Sequence, residues 1–161
     1  MSVLGYSHTG ISVSDMDMSL AFYRDVLGLE VFFDNVLDTE YLRSILQTPF
    51  SEIRIARVAV PNSGHLELLE YRDAGIPAGP RVVPSQPAAG HIAFEVTDAL
   101  EVFNRARSAG FPPLSPAPVL VDSGVNQGWI AAYLTDPDGY FVEIVQRPVS
   151  KEEASDVQNE G

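Results

Sequence analysis

The sequence contains one pattern twice, and this repeat limits the folds that the chain can adopt. His8 opens the segment HTGISVSD and His91 opens HIAFEVTD, and in each copy an aspartate follows seven residues later. Both segments are short and largely apolar, which predicts a strand, and Asp15 and Asp98 stand where a helix N-cap is expected. The chain is therefore predicted to consist of two related modules, each beginning with a strand and a helix.

The remainder of each copy also follows a shared order. Apolar residues at helical spacing predict one face for each helix, at Met18, Phe22, Val26 and Leu29 in the first and Leu100, Phe103 and Ala106 in the second. Glycines after these runs, Gly28 and Gly110, predict the helix ends. Three strand-like segments then follow in each copy, namely LEVFFD, EIRIARVAV and HLELLEY, then PVLV, GWIAAYLTD and GYFVEIVQR. This pattern predicts an α+β protein.

Glycine and proline mark the predicted boundaries. A single domain is expected over residues 1–148, with module one at about 4–71 and module two at about 91–147. The linker at 72–90 is rich in Gly and Pro, and residues 149–161 lack apolar periodicity and are expected to form a flexible acidic tail. Module one is longer because DTEYLRSILQ predicts an additional helix, capped by Asp38 or Thr39.

Composition excludes several classes of function. The 161 residues carry 22 acidic and 10 basic side chains, a formal net charge of −12, which argues against a nucleic-acid partner. Without cysteine, the chain cannot form disulfides or thiolate-ligated metal sites. Neither a signal peptide nor a membrane-spanning segment is recognisable, so a cytoplasmic protein without membrane contact is expected.

Four residues on the predicted strands are candidate metal ligands: His8, Glu67, His91 and Glu143. The glutamates lie among apolar residues in LELLE and VEIV, where a charged group is costly to bury without a partner. Two imidazoles and two carboxylates suit Ni²⁺, Co²⁺, Zn²⁺, Mn²⁺ or Fe²⁺ and offer too few oxygens for Ca²⁺. The alternative is that these histidines are structural and that the glutamates lie on a solvated sheet face.

A third histidine is placed beside this set by strand periodicity. Residues two apart on a strand share a face, so His65 should point the same way as Glu67. His65 is therefore a candidate site residue, or alternatively a surface histidine next to a turn. Tyr133 and Trp129 could line the same cavity or belong to the core. The strand that precedes HLELLEY could bring Glu52 and Arg54 to this cavity.

The segments HTGISVSDMDMSLAFYRDVLGLEV, HLELLEY, GHIAFEVTD and YLTDPDGYFVEIV resemble the vicinal oxygen chelate superfamily, across about residues 4–147. This superfamily includes glyoxalase I, methylmalonyl-CoA epimerase, extradiol dioxygenases and antibiotic-resistance proteins. The resemblance implies paired βαβββ modules, the glyoxalase/bleomycin resistance/dioxygenase fold, and a homodimer. In its glyoxalase and epimerase branches the first and last strands of each module supply the metal ligands, which implies His8, Glu67, His91 and Glu143 here.

The resemblance also implies a chemistry. A divalent ion with two open positions can hold two adjacent substrate oxygens and stabilise an enediolate, which suits isomerase, epimerase or lyase activity on a small carbonyl substrate. Glu143 is implied as the proton carrier, with Glu67 second. Bacterial glyoxalase I has an arginine where Ser12 stands and an asparagine where Tyr71 stands, both used for glutathione. Glutathione is therefore not predicted as a substrate component.

Two alternatives remain at this stage. Extradiol dioxygenases place a His, His, Glu triad at the positions of His8, His91 and Glu143 and bind Fe²⁺, with a histidine as acid/base. His65 could serve as that acid/base, although Glu67 would then have no role as a ligand. The other alternative is a non-catalytic drug-binding resistance protein, which needs no metal and leaves the four candidate ligands unexplained.

Overall fold

The computed structural model describes residues 2–75 and 82–149. Residues 76–81 of the predicted linker, and the predicted tail from residue 150 onward, lie outside the described residues. Contacts between Cα atoms divide the chain into two compact units, Met1–Val83 with Asp136–Gly139, and Pro84–Thr135 with Tyr140–Gly161. Each unit contains a four-stranded sheet of its own.

The first unit contains four strands and two short helices. In chain order these are β1 (His8–Ser12), α1 (Met16–Leu20), β2 (Val31–Leu37), α2 (Glu40–Leu46), β3 (Ile53–Val60) and β4 (Gly64–Tyr71). A π-helical segment, Ala21–Val26, directly continues α1. The strands lie in the order β1-β4-β3-β2, with β1 parallel to β4 and the other neighbours antiparallel.

The second unit repeats this arrangement without the inserted helix. Its elements are β5 (His91–Glu95), α3 (Ala99–Ser108), β6 (Val119–Leu120), β7 (Ile130–Thr135) and β8 (Phe141–Gln146). The sheet order is β5-β8-β7-β6, and β5 is parallel to β8. Both units therefore show the βαβββ order, and the prediction of an α+β chain built from paired βαβββ modules is confirmed.

The two aspartates of the repeat cap the helices as predicted. Asp15 accepts a hydrogen bond at 3.0 Å from the backbone N–H three residues later, and Asp98 accepts the corresponding bond at 2.9 Å. These bonds satisfy amide groups that have no partner within the first helical turn. Gly28 and Gly110 follow the helical segments with φ angles of 75° and 88°, in the left-handed region that glycine adopts without strain.

The Asp98 cap can be tested by substitution. Asp98→Ala should lower the free energy of unfolding by about 1 kcal/mol, because one amide at the start of α3 loses its acceptor. Asp98→Asn is the matched control, since asparagine is an equally good capping residue and should retain most of the stability. Urea unfolding of both variants measures the effect, and an alanine variant as stable as the wild type would contradict this role for Asp98.

The helix faces differ from the prediction by a small rotation. Met18 and Leu100 were assigned to the apolar faces, but they are 50% and 56% exposed. The buried apolar residues are Met16, Leu20, Phe22, Tyr23 and Val26 in the first unit and Ala99, Val102, Phe103 and Ala106 in the second. In the first unit the π-helical segment adds residues per turn, so that adjacent Phe22 and Tyr23 both reach the core.

The inserted helix α2 has an apolar face that the described chain leaves largely uncovered. None of its residues is buried within the described chain, and Tyr41 and Ile45 are 58% and 71% exposed. Leu42 alone of this face packs against the small cluster around Phe50. The predicted cap is also incomplete, because Thr39 occupies the N-cap position without a side-chain hydrogen bond.

Alternation along β4 and β8 orients the candidate site residues. Leu66 and Leu68 on β4 are fully buried, as are Val142 and Ile144 on β8. The intervening glutamates therefore project from the other face of each sheet. No helix within the described residues is long and apolar enough to cross a membrane.

Candidate metal centre

In the first unit, the parallel pairing of β1 with β4 brings one histidine and one glutamate together. His8 lies beside His65 in this register and Gly10 lies beside Glu67. The His8 Nε2 atom lies 3.4 Å from Glu67 Oε2. The Glu67 side chain is only 14% exposed.

In the second unit, the pairing of β5 with β8 produces a matching pair. Ala93, another small residue, lies beside Glu143, and His91 begins the same strand. The distance from His91 Nε2 to Glu143 Oε2 is again 3.4 Å. Each unit thus places one imidazole nitrogen and one carboxylate oxygen side by side, in the same relation to its sheet.

The spacing within each pair suits adjacent metal ligands. Two donor atoms bound to one ion at about 2.1 Å, with an angle of about 90–110° between them, lie about 3.0–3.4 Å apart. Both pairs fall in this range. Across residues 2–75 and 82–149, no three His, Asp or Glu side chains form a group that could hold an ion. The structure therefore shows two separate His–Glu contacts with this spacing.

Glu67 is also bound by an arginine that the sequence analysis did not identify. Arg57 lies opposite Glu67 in the β3–β4 hairpin, and its Nε donates a hydrogen bond of 2.7 Å to Glu67 Oε1. The Arg57 guanidinium also lies over the ring of Phe33, with Cζ 5.3 Å from the ring centroid. The turn at PNSG could have revealed the pairing, because Arg57 and Glu67 are equally distant from Asn62.

Tyr133 occupies the position beside Glu143 that Arg57 occupies beside Glu67. It lies opposite Glu143 in the β7–β8 pairing, with its hydroxyl 3.4 Å from Glu143 Oε2. Its ring also makes an edge contact with His91. Burial raises the pKa of Tyr133 above its usual value, and the nearby Glu143 charge adds to this increase. The phenol is therefore neutral at physiological pH and can donate a hydrogen bond to the carboxylate.

His65 lies within the first unit's cluster, as strand periodicity predicted. Its ring stacks on His8 with 5.3 Å between centroids, and its Nε2 lies 3.8 Å from Glu67 Oε1. Within the described chain, this buried Nε2 has no hydrogen-bond partner. A buried polar atom without a partner is costly, so a ligand or ion at this place would stabilise it. The corresponding position in the second unit holds Phe141, which cannot bind a metal.

Two other candidate positions have partners outside this cluster. Arg54 does not reach the candidate ligands, because its guanidinium makes two hydrogen bonds to Asp34 and one to Asp17. It lies on the opposite face of β3 from Arg57, three residues away. Glu52 is bonded to Arg72 at 2.9 Å. These contacts account for both side chains without a role in the site.

The remaining aromatic candidates are also partly accounted for. Trp129 precedes β7 and lies under the guanidinium of Arg147, whose Cζ is 4.9 Å from the ring centroid. Burial raises the pKa of Tyr71 above its usual value, and an interaction with the Ser12 side chain opposes this increase.

Comparison with known proteins identifies relatives over most of the chain. The family model described as the Glyoxalase/Bleomycin resistance protein/Dioxygenase superfamily matches residues 5–144. A lactoylglutathione lyase of Salmonella typhimurium is 28% identical over 142 residues, covering 86% of this chain and 90% of the relative. These matches support a glyoxalase-type enzyme.

Solved structures agree on the fold. A glyoxalase family protein from Bacillus cereus has a TM-score of 0.77 at 17% identity and covers 91% of this chain and 95% of its own. The trypanothione-dependent glyoxalase I of Leishmania major has a TM-score of 0.58 at 26% identity, with 95% of this chain and 94% of the other covered.

Proposed function

The chain belongs to the Glyoxalase/Bleomycin resistance protein/Dioxygenase superfamily, and from this premise we propose that it is a divalent-metal-dependent enzyme that isomerises or epimerises a small oxygenated carbonyl substrate. The observation that carries the proposal is the repeated pair of one histidine and one glutamate, with 3.4 Å between nitrogen and oxygen in both units. Relatives named lactoylglutathione lyase support the glyoxalase type of chemistry.

The proposed ligands are His8 and Glu67 from the first unit and His91 and Glu143 from the second. Two neutral imidazoles and two carboxylates suit Ni²⁺, Co²⁺, Zn²⁺, Mn²⁺ or Fe²⁺. When bound, such an ion would polarise a substrate carbonyl and stabilise the negative charge that develops as the α-proton leaves. The protein residues must hold the substrate and transfer that proton.

Glu143 is our first choice for the group that accepts the α-proton, with Glu67 second. The surroundings of the two carboxylates favour this order. Glu67 accepts a hydrogen bond of 2.7 Å from the charged side chain of Arg57, so one of its two oxygens already has a partner. Glu143 has a neutral phenol at 3.4 Å, so its carboxylate is less constrained.

The substrate is proposed to be a small carbonyl compound and not a glutathione adduct. Ser12 and Tyr71 stand where the resemblance places the arginine and the asparagine that bacterial glyoxalase I uses to bind glutathione. A serine hydroxyl cannot make the paired, charge-assisted hydrogen bonds that an arginine makes to a carboxylate.

Metal analysis combined with proton exchange tests this function. The protein should be purified without chelators or added metal, analysed for metal content, and then assayed after reconstitution with Ni²⁺, Co²⁺ or Fe²⁺. We expect metal-dependent exchange of the α-proton of a 2-hydroxy or 2-oxo carbonyl compound with deuterated solvent. The glutathione hemithioacetal of methylglyoxal should be included in the panel, and a strong preference for it would overturn the proposed substrate class.

An extradiol dioxygenase is the second candidate, and His65 is the observation that favours it. The buried and unpaired Nε2 of His65 lies beside His8 and Glu67, where ring cleavage would need an acid/base. Activity restricted to the Fe²⁺ form, with oxygen uptake on catechols, would replace the isomerase proposal with this one.

We also propose that the chain forms a homodimer. Several large apolar side chains are exposed in the described residues, among them Phe32 at 53%, Ile45 at 71% and Leu120 at 63%. Pairing of two copies about a twofold axis is the commonest way in which proteins cover such surface. Light scattering at micromolar concentrations should give twice the chain mass of 17.5 kDa, and a monomer throughout that range would contradict the proposal.

A further inference from the structure

We propose that Arg57 binds an anionic group of the substrate, so that the natural substrate is an oxygenated carbonyl compound that also carries a carboxylate. This inference rests on the proposed function, because it places the anion beside the Glu67 ligand. Arg57 would determine which class of substrate binds, although it is neither a proposed metal ligand nor a proposed proton carrier.

Arg57 has hydrogen-bond donors that no described protein group uses. A guanidinium has five N–H donors, and within the described chain only Nε of Arg57 makes a hydrogen bond. Its side chain is 43% exposed, so the two terminal nitrogens are accessible to a ligand. Arg54 on the same strand differs, because its Nε and both terminal nitrogens bind aspartates.

Two contacts within the first unit orient the side chain of Arg57. The bond from Nε to Glu67 fixes one edge of the guanidinium, and the ring of Phe33 lies against its plane. The guanidinium edge formed by the two terminal nitrogens has no hydrogen-bond partner within the described chain. A fork held in this way matches the two oxygens of a carboxylate and loses little conformational entropy on binding.

The two units differ in the partner of the equivalent glutamate. If the arginine served only to neutralise a buried glutamate, the second unit should need the same partner. Glu143 occupies the equivalent position with similar exposure, 22% against 14%, yet its partner is the neutral Tyr133. A cation is thus not required for a glutamate at this place in the fold, so neutralisation of Glu67 does not by itself explain Arg57.

Charge also favours a local receptor for an anion. With a formal net charge of −12, the protein as a whole repels anionic molecules. A substrate carboxylate therefore needs a specific cation near the reacting group. Arg57 supplies this charge beside the metal ligand Glu67, with its free nitrogens exposed.

Two 2-oxo acids that differ in one group can test the inference. Both 2-oxoglutarate and 2-oxopentanoate present the same 2-oxo acid head to a metal ion, but only the first has a second carboxylate. We expect the Co²⁺-loaded wild-type protein to bind 2-oxoglutarate at least about 10-fold more tightly, the scale of a charge-assisted hydrogen-bonded pair. Titration calorimetry and the visible absorption of Co²⁺ measure both affinities.

Substitution of Arg57 should remove this preference alone. Arg57→Gln should bring the two dissociation constants to within about twofold of each other, with the 2-oxopentanoate value little changed, at matched Co²⁺ occupancy. Arg57→Lys should retain part of the preference, because an ammonium keeps the charge without the fork. Arg72→Gln is the matched control, since Arg72 has nearly the same exposure, 44%, and pairs with Glu52.

The possible failures are distinguishable. Three results would overturn the inference and leave the metal-dependent function standing. These are equal binding of the two acids by the wild type, no binding of either acid to the Co²⁺ form, and an unchanged preference in Arg57→Gln. Equal weakening of both acids would show that Arg57 only positions Glu67, and would overturn it too. A wild-type protein that binds no divalent ion would instead remove the proposed function and, with it, this inference.

Discussion

Glu143→Gln is expected to lower the exchange of a substrate α-proton with deuterated solvent by at least about 100-fold, the lower scale of general-base catalysis. Glutamine has nearly the shape of glutamate but cannot accept the proton. Its amide can still contact Tyr133, whose hydroxyl lies 3.4 Å from Glu143 in the wild type. Proton NMR in deuterated buffer follows the loss of the α-proton signal directly.

The comparison requires equal metal content, because Glu143 is also a proposed ligand. Both proteins should be assayed at concentrations of Co²⁺ or Ni²⁺ that saturate each of them, with occupancy confirmed by elemental analysis. Full exchange activity in the saturated Glu143→Gln variant would show that another group accepts the proton. Glu67 would then be examined next, since it lies in the equivalent pair.

His65→Ala separates the two candidate functions in the same assay. Enediolate chemistry does not need a third histidine, so exchange should change little in this variant. A dioxygenase would give the opposite result, because loss of the acid/base at His65 would slow ring cleavage, and the wild type would show no α-proton exchange. The two variants together therefore test the reaction class as well as the assignment of the base.

Glu67→Ala is expected to weaken the binding of Ni²⁺ or Co²⁺ by at least about 100-fold. Removal of a group that only supports a ligand usually weakens metal binding by about 10- to 100-fold. The substitution removes one of four proposed ligands and leaves His8 without the oxygen that now lies 3.4 Å away. It also leaves Arg57 without its acceptor. Competition titration with a chromophoric chelator measures the change in the dissociation constant.

A matched glutamate variant controls for the loss of negative charge. Glu101→Ala removes the same group from the surface of α3, where the side chain is 67% exposed and pairs with Arg105. Its metal affinity should equal that of the wild type within about twofold, because exposed charges are well screened. Retention of tight Fe²⁺ binding by Glu67→Ala would contradict the four-ligand proposal and favour the dioxygenase triad.

The repeat was sufficient to predict the fold because its signals are local. Strand periodicity, the two aspartates and the glycines after each helix all act within a few residues. Alternation on β4 likewise placed His65 on the same side as Glu67, since successive side chains on a strand must point to opposite faces. These features depend on backbone geometry, and they are the same in both units.

The inserted helix and the helix faces show where such local signals fail. The apolar side chains of α2 share one face of the helix, but burial depends on whether another element covers that face, and the described chain covers little of it. The rotation of the first helix depends on the π-helical segment, in which each turn contains an additional residue. Spacing alone could not reveal either, because both depend on packing against other parts of the chain.

Residue types alone limit the chemistry available to this protein, because the chain has no cysteine, three histidines, and glutamates on otherwise apolar strands. Tertiary structure decided which of these groups meet. The pairing of β1 with β4 sets the distance between His8 and Glu67, and hairpin register places Arg57 and not Arg54 against that carboxylate. The physical reason is that residue type and local periodicity are properties of the chain, whereas contact between distant side chains exists only after strands pair in one register.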